Sequence, residues 1–134
     1  MVSVPSFLLR RLYVRGTLKN TGQGLQFQLR NGLGSGYAEE MLPLTVDGAE
    51  LPLDWCTFAV DGQARPFSQV SREHPLTLPL NRDALITVKN VTLTAEPHTV
   101  GMGFRVPGLG ALRFDFTDSP ALTPSPGSQD DPTT

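Results

Sequence analysis

Cysteine is nearly absent from this chain: Cys56 stands alone among 134 residues. A single cysteine excludes an internal disulfide and suits a reducing compartment. Histidine is scarce as well, with only His74 and His98, and no His-x-His or His-Glu-x-x-His spacing occurs. The usual metal-ligand motifs are therefore missing. Neither sign of charge prevails. The formal net charge is -2 and the isoelectric point is about 5.6, which leaves no basic face for nucleic acid and no electrostatic anchor for a membrane. Long apolar runs are lacking too, and none approaches the roughly 18 residues needed to span a bilayer. Phe7-Leu8-Leu9 is short, and Arg10, Arg11 and Arg15 follow it. A secretory signal places its positive charge before a longer apolar run. The expectation is a cytoplasmic protein that binds neither nucleic acid nor membrane.

Glycine (13) and proline (12) are frequent instead and spread along the chain, which favours short strands and turns over long helices. Leu25-Gln26-Phe27-Gln28-Leu29-Arg30 alternates apolar and polar residues without a fault, as a half-buried strand does. Leu12, Val14 and Leu18 before it, with turn formers at 20–24, predict a first hairpin. A glycine-rich loop follows from Asn31 to Tyr37. Leu42, Leu44 and Val46 lead to Asp47-Gly48, and Cys56, Phe58 and Val60 lead to Asp61-Gly62. Asp-Gly between apolar runs is a strong hairpin signal. Further period-two stretches are Leu76/Leu78/Leu80, limited by Pro75 and Pro79, then Ala84/Ile86/Val88, with Val91 and Leu93 close behind. Val100/Met102/Phe104 and Leu112/Phe114/Phe116 follow, separated by Gly108 and Gly110. This spacing predicts a single all-β domain over residues 1–118. Its expected form is a two-sheet antiparallel β-sandwich, jelly-roll-like or immunoglobulin-like, with little or no helix. Residues 119–134, rich in Pro, Ser, Asp and Thr, are expected to form a disordered tail.

Chemistry is harder to find. His74 and His98 each lie near a glutamate but are separated by 23 intervening residues, so they are weak metal candidates and the expected metal is none. Cys56 lies in an alternating strand beside Trp55 and Phe58, the setting of a buried small hydrophobe and not of a nucleophile. Glu39 and Glu40 are neighbours, and on a regular strand neighbours point to opposite faces. They share one site only where the backbone is irregular. Gly32-x-Gly34-x-Gly36 has the glycines of a phosphate loop, yet no helix pattern follows it. No cofactor is expected. The candidate ligand-binding residues are Tyr37, Glu39, Trp55 and His74. Phe7, Leu8, Leu9 and Leu109 either form a surface patch or complete the core.

Several segments together resemble a known family. They are the strand Gly24–Arg30, the glycine-rich loop ending in Tyr37, the hairpin Leu44-Thr45-Val46-Asp47-Gly48-Ala49-Glu50-Leu51, and the late strand entry Leu93-Thr94-Ala95-Glu96-Pro97-His98-Thr99-Val100. This order is similar to the small β subunit of the C-glycoside deglycosidases. The resemblance implies a β-sandwich subunit packed on a larger, metal-dependent barrel-type enzyme subunit that carries the metal and the acid/base groups. It carries no catalytic residue over to this chain.

Three functional classes follow. The first is a non-catalytic accessory or assembly subunit supporting such a catalytic partner. The second is a stand-alone small-ligand module, for sugars above all, with Tyr13, Tyr37 and Trp55 as stacking faces. The third is a metal enzyme built on His74, His98 and a glutamate. A homo-oligomer is compatible with each.

Overall fold

The computed structural model describes residues 4–33 and 36–121. Pro5 precedes a single helical turn, α1 (Ser6–Leu9), which runs into a 3-10 turn at Arg10–Leu12. Among the described residues twelve strands follow: β1 (Lys19–Asn20), β2 (Gly24–Arg30), β3 (Tyr37–Ala38), β4 (Glu40–Met41), β5 (Thr45–Val46), β6 (Ala49–Glu50), β7 (Cys56–Val60), β8 (Gln63–Pro66), β9 (Leu76–Thr77), β10 (Asp83–Lys89), β11 (His98–Val106) and β12 (Gly110–Asp118). All pairings are antiparallel. One sheet has the order β1-β2-β10-β7-β8 and the other β12-β11-β5-β6; β4 also pairs with β11, and β3 and β9 form a separate ribbon. The all-β sandwich expected from the period-two pattern is the fold observed.

Alternation decides what the sheets bury. Leu25, Phe27 and Leu29 of β2, Cys56 and Phe58 of β7, and Ile86 and Val88 of β10 point inward from one sheet. Val100 and Met102 of β11 with Leu112, Phe114 and Phe116 of β12 meet them from the other. These side chains form one continuous core. Gly24 is fixed by close approach, because a Cβ there would run into the Val88 carbonyl oxygen of β10.

Both Asp-Gly turns form as expected. Asp47 and Gly48 have φ of 51° and 88°, and Asp61 and Gly62 have 53° and 82°. Positive φ at both central residues is the signature of the two-residue turn whose twist matches that of antiparallel strands. The flanking pairs are Val46 with Ala49 and Val60 with Gln63.

Local readings of the sequence differ from the structure in four places. Leu12 lies on the 3-10 turn instead of a strand, and the first hairpin shrinks to β1 against β2, with Tyr13 bridging Leu29 alone. Gly16, at φ 87°, turns the chain before a longer ladder can form. Trp55 ends a 3-10 turn (Leu53–Trp55) that precedes β7. The proline-bounded 76–80 stretch pairs only at Leu76–Thr77. Val91 and Leu93 form no strand, because the Asn20 side chain takes up both backbone groups of Leu93. Of the segment expected to be a tail, residues 119–121 are described, with the Ala121 N–H donating to the Leu18 carbonyl at 2.7 Å. Residues 122–134 lie outside the described residues.

Candidate functional site

At one end of the sandwich the gap between the main sheets is flanked by short elements: α1, the loop after β2, and the β3–β9 ribbon. A cavity of about 370 Å³ opens there. Leu29, Phe58, Ala84 and Ile86 line it from one sheet, and Met102 and Phe104 from the other. Leu8 and Leu9 of α1 close one side and Leu76 and Leu78 another. Among the described residues, no charged side chain lines it.

Asn31 is the buried polar residue among those described, 6% exposed. Its amide is engaged with the loop backbone. Nδ2 donates to the Leu78 carbonyl at 2.8 Å, and Oδ1 accepts the Leu33 N–H at 3.1 Å. Asn31 thus ties the loop after β2 to the segment after β9.

The rim is unusually apolar. Among the described residues, the exposed large hydrophobics are Phe7, Leu33, Tyr37 and Leu80. Of these, Leu33 and Tyr37 line the cavity. Exposed apolar surface gathered at one place marks a binding surface, whereas scattered single residues do not. Phe7-Leu8-Leu9 therefore divides its roles: Leu9 is buried, Leu8 half-buried and Phe7 exposed.

The four ligand-site candidates do not converge. Tyr37, 48% exposed, stands at the cavity mouth. Glu39, two residues on, lines a separate cleft with Glu40, Arg72 and Arg105. Trp55 is half-buried against the core and lines neither opening. His74 is exposed on the loop before β9, a loop held by the Arg65 guanidinium, which donates to the carbonyls of His74 at 2.8 Å and Pro75 at 3.1 Å.

The Glu39/Glu40 cleft corrects the expectation that the two carboxylates diverge. The backbone bends at residue 39, between β3 and β4, so both reach one cleft. Each is matched by an arginine, Glu39 by Arg72 at 3.2 Å and Glu40 by Arg105 at 3.0 Å. A pair of carboxylates so neutralised resembles a surface ion-pair set more than an acid/base dyad.

His98 opens β11 and is held from both sides. Its Nδ1 lies 2.6 Å from Asp47 Oδ2, and its Nε2 lies 2.9 Å from Thr94 Oγ1 and 3.2 Å from the Thr94 carbonyl. The order carboxylate–imidazole–hydroxyl has the look of a nucleophile triad. Three features oppose that role. The carbonyl needs an N–H on Nε2, so that nitrogen is a donor here and no base toward the hydroxyl. The hydrogen bond to Asp47 raises the imidazole above its ordinary range, favouring the doubly protonated form that supplies both N–H groups. Asp47 Oδ1 also accepts the Thr99 N–H at 2.9 Å, so the whole set clamps the β5–β6 turn to the start of β11. Among the described residues, no group of three or more His, Cys, Asp or Glu side chains is placed to hold a metal ion.

Cys56 is fully buried, and burial pushes its thiol up to about 11. Its S–H faces the Pro52 carbonyl at 3.8 Å. A thiol so placed is inert at neutral pH.

Residues 8–121 match the family described as hydroxymethylglutaryl-CoA reductase, N-terminal domain. The chain belongs to that family. No curated protein matches it. Membership overturns the resemblance to the small β subunit of the C-glycoside deglycosidases. The segments behind that resemblance answer to turn geometry: Asp47-Gly48 is a two-residue hairpin turn, and His98 is the clamp that receives it. Both are requirements of a twisted sandwich and say little about descent. The family match covers every residue lining the cavity except Val4. Among the described residues, no helix is long and apolar enough to cross a membrane.

Tyr37 is the one ligand-site candidate read from the sequence that lies at the cavity. Leu76, Leu78, Met41 and Met102 were not singled out. The available signal was the presence of short apolar stretches, Phe7–Leu9 and Leu76–Leu80, and of Leu33 and Tyr37 in the glycine-rich loop.

Proposed function

We propose that this chain is a non-catalytic binding module whose working surface is the open apolar end of its sandwich. The observation that supports this reading is a cavity of about 370 Å³ with an apolar lining that includes the exposed large hydrophobics Leu33 and Tyr37. A volume of this size falls within the range of small-molecule sites. Its lining favours an apolar ligand over a sugar. Sugars need several convergent hydrogen-bonding groups, whereas the Asn31 amide is directed to Leu33 and Leu78.

A ligand that binds only the folded state at 100 times its dissociation constant raises stability by about 2.7 kcal/mol. Titration with 1-anilinonaphthalene-8-sulfonate, followed by fluorescence and by thermal unfolding, tests this. Saturable binding to the native protein with a raised midpoint is expected. Dye binding that begins only as the protein unfolds sinks the reading, and stabilisation by members of a sugar panel in place of the dye returns it to a sugar site.

The family description favours a second reading: an accessory domain acting beside a larger catalytic polypeptide. On this reading the same rim meets the partner. Co-expression with a hydroxymethylglutaryl-CoA reductase catalytic polypeptide, followed by size-exclusion chromatography, checks it. Co-elution lost on Leu33→Asp supports the docking role. Elution of the chain alone, or as a homo-oligomer, counts against it.

A further inference from the structure

One wall of the cavity differs from the others in how it is held. Val4, Leu8, Leu9 and Leu12 line the space from the N-terminal segment. The loop after β2 and the segment after β9, which also line it, are locked to each other through the buried Asn31 amide. Residues 4–12 have no such lock. Their regular structure is one helical turn and one 3-10 turn, and α1 lacks a side-chain cap; a helix this short does not stand on its own. Among the described residues, the hydrogen bonds that join this segment to the chain beyond Tyr13 come from Arg10, to the Asp115 carbonyl at 2.7 Å and to Asp115 Oδ1 at 3.4 Å. Both side chains are about half exposed, where such a pair adds little stability. What keeps the segment down is the burial of Leu9 and Leu12. The hold changes abruptly at Tyr13. Its ring stacks on Phe116, its hydroxyl donates to Asp118, and the next residue, Val14, donates its N–H to the Gln28 carbonyl at 3.0 Å. A short segment held chiefly by apolar contact opens at lower cost than the paired strands around it.

We infer that, given the binding-module reading above, residues 4–12 form a strap hinged at Leu12–Tyr13, which lifts off the sandwich as a unit while the cavity is empty and is held down by an apolar ligand within it. Lifting takes Val4, Leu8, Leu9 and Leu12 out of the lining together and leaves β2, β10 and β11 paired. Exposing Leu9 and Leu12 to water keeps the lifted form a minor population. A ligand in the cavity meets those leucines only in the closed form, so its binding shifts the population toward closure.

Native-state amide exchange, with and without the uncharged fluorescent dye N-phenyl-1-naphthylamine, tests the strap. Leu8 and Leu9 donate their N–H groups to the Pro5 carbonyl and Arg10 donates to the Ser6 carbonyl, so exchange at these three amides reports lifting. In the free protein they should be at least about 100-fold less protected than the strand amides of Phe27 and Met102. Arg10→Ala should speed the three about two- to fivefold. Asn20→Ala, which weakens the sandwich away from the strap, should speed Phe27 and Met102 and leave the three unchanged. Should that variant fail to fold, dilute urea makes the same distinction, because it accelerates exchange in proportion to the surface exposed on opening. Dye at 100 times its dissociation constant should slow the three at least about tenfold. If the dye does not bind, the binding-module reading falls and the strap's ligand with it. If the dye binds but leaves exchange at the three amides unchanged, or if Asn20→Ala or urea speeds all five amides equally, the binding-module reading stands and the strap is overturned.

Discussion

The side chain of Asn20 holds the backbone of Leu93 by both of its polar groups: Nδ2 donates to the Leu93 carbonyl at 2.9 Å, and Oδ1 accepts the Leu93 N–H at 2.8 Å. An amide on β1 thus substitutes for a strand partner. It holds the segment between β10 and β11 against the sheet, and Leu93 is buried as a result. Asn20→Ala removes both bonds and leaves two partly buried backbone groups unmatched. A loss of about 1–3 kcal/mol is expected. It should appear as a lower midpoint in urea denaturation with an unchanged slope. Asn20→Asp keeps the acceptor but sets a carboxylate oxygen against the Leu93 carbonyl, so its midpoint should fall at least as far as that of Asn20→Ala.

The clamp at the β5–β6 turn carries a pH dependence of known sign. His98 is raised by its bond to Asp47, so its contribution is complete below the ordinary imidazole range and is lost as pH climbs through the raised value. Asp47 is lowered by its bonds to His98 and the Thr99 N–H, so its contribution is complete above the ordinary carboxylate range and is lost as pH falls through the lowered value. The pair therefore stabilises most between those two ranges, at roughly pH 4–6.5. Asp47→Asn is the informative variant, because asparagine tolerates the positive φ of 51° at this position. Denaturant midpoints measured from pH 4 to 9 should decline above neutrality in the parent and decline less in the variant. Parallel curves would remove the clamp as the cause.

Cys56 offers a probe of opening. With its side chain fully buried and its thiol pushed up to about 11, reaction with 5,5′-dithiobis(2-nitrobenzoate) at pH 8 should be slow in the native protein and complete within seconds in 6 M guanidinium. The native rate should then slow further on adding any ligand that stabilises the fold. Rapid stoichiometric labelling of the native state would show that the burial of Cys56 is transient.

The parts of this fold that could be read beforehand are those governed by period two and by turn chemistry. β2, β7, β10, β11 and β12 each show alternation over five or more residues, and the two Asp-Gly pairs demand positive φ wherever they fall between strands. What escaped has an equally physical reason. Ser6–Leu12 completes only a helical turn and a 3-10 turn, too few residues for a 3.6 period to show, and its leucines pass for a strand. Glu39 and Glu40 were assigned to opposite faces on the premise of a regular strand, and the bend at residue 39 breaks that premise. The cavity was invisible because a leucine that lines a gap and a leucine that fills a core look alike in sequence. Only the placement of Leu8, Leu76 and Met102 around one space distinguishes them.

Tyr13 joins the N-terminal segment to the end of β12 through stacking and through a hydrogen bond, and these two can be separated. Its ring stacks on Phe116 at 3.6 Å between centroids and 8° between planes, with Phe27 edge-on to both. Its hydroxyl donates to Asp118 Oδ2 at 2.8 Å and accepts the Leu18 N–H at 3.2 Å. Burial, reinforced by Asp118, pushes the phenol up to about 12. Burial also works against the charge on Asp118, but the Gly16 N–H, the Tyr13 hydroxyl and the Ser119 N–H outweigh it and hold that carboxyl below its ordinary value. Tyr13→Phe keeps the stack and removes the hydroxyl, at a cost of about 1 kcal/mol. Tyr13→Leu loses the stack as well and should cost about 0.5–1.5 kcal/mol more. Because folding raises the phenol, the parent should lose stability as pH climbs from about 10 to about 12, and Tyr13→Phe should lack that part of the decline. Equal alkaline curves for the two proteins would show that the hydroxyl is not held as described.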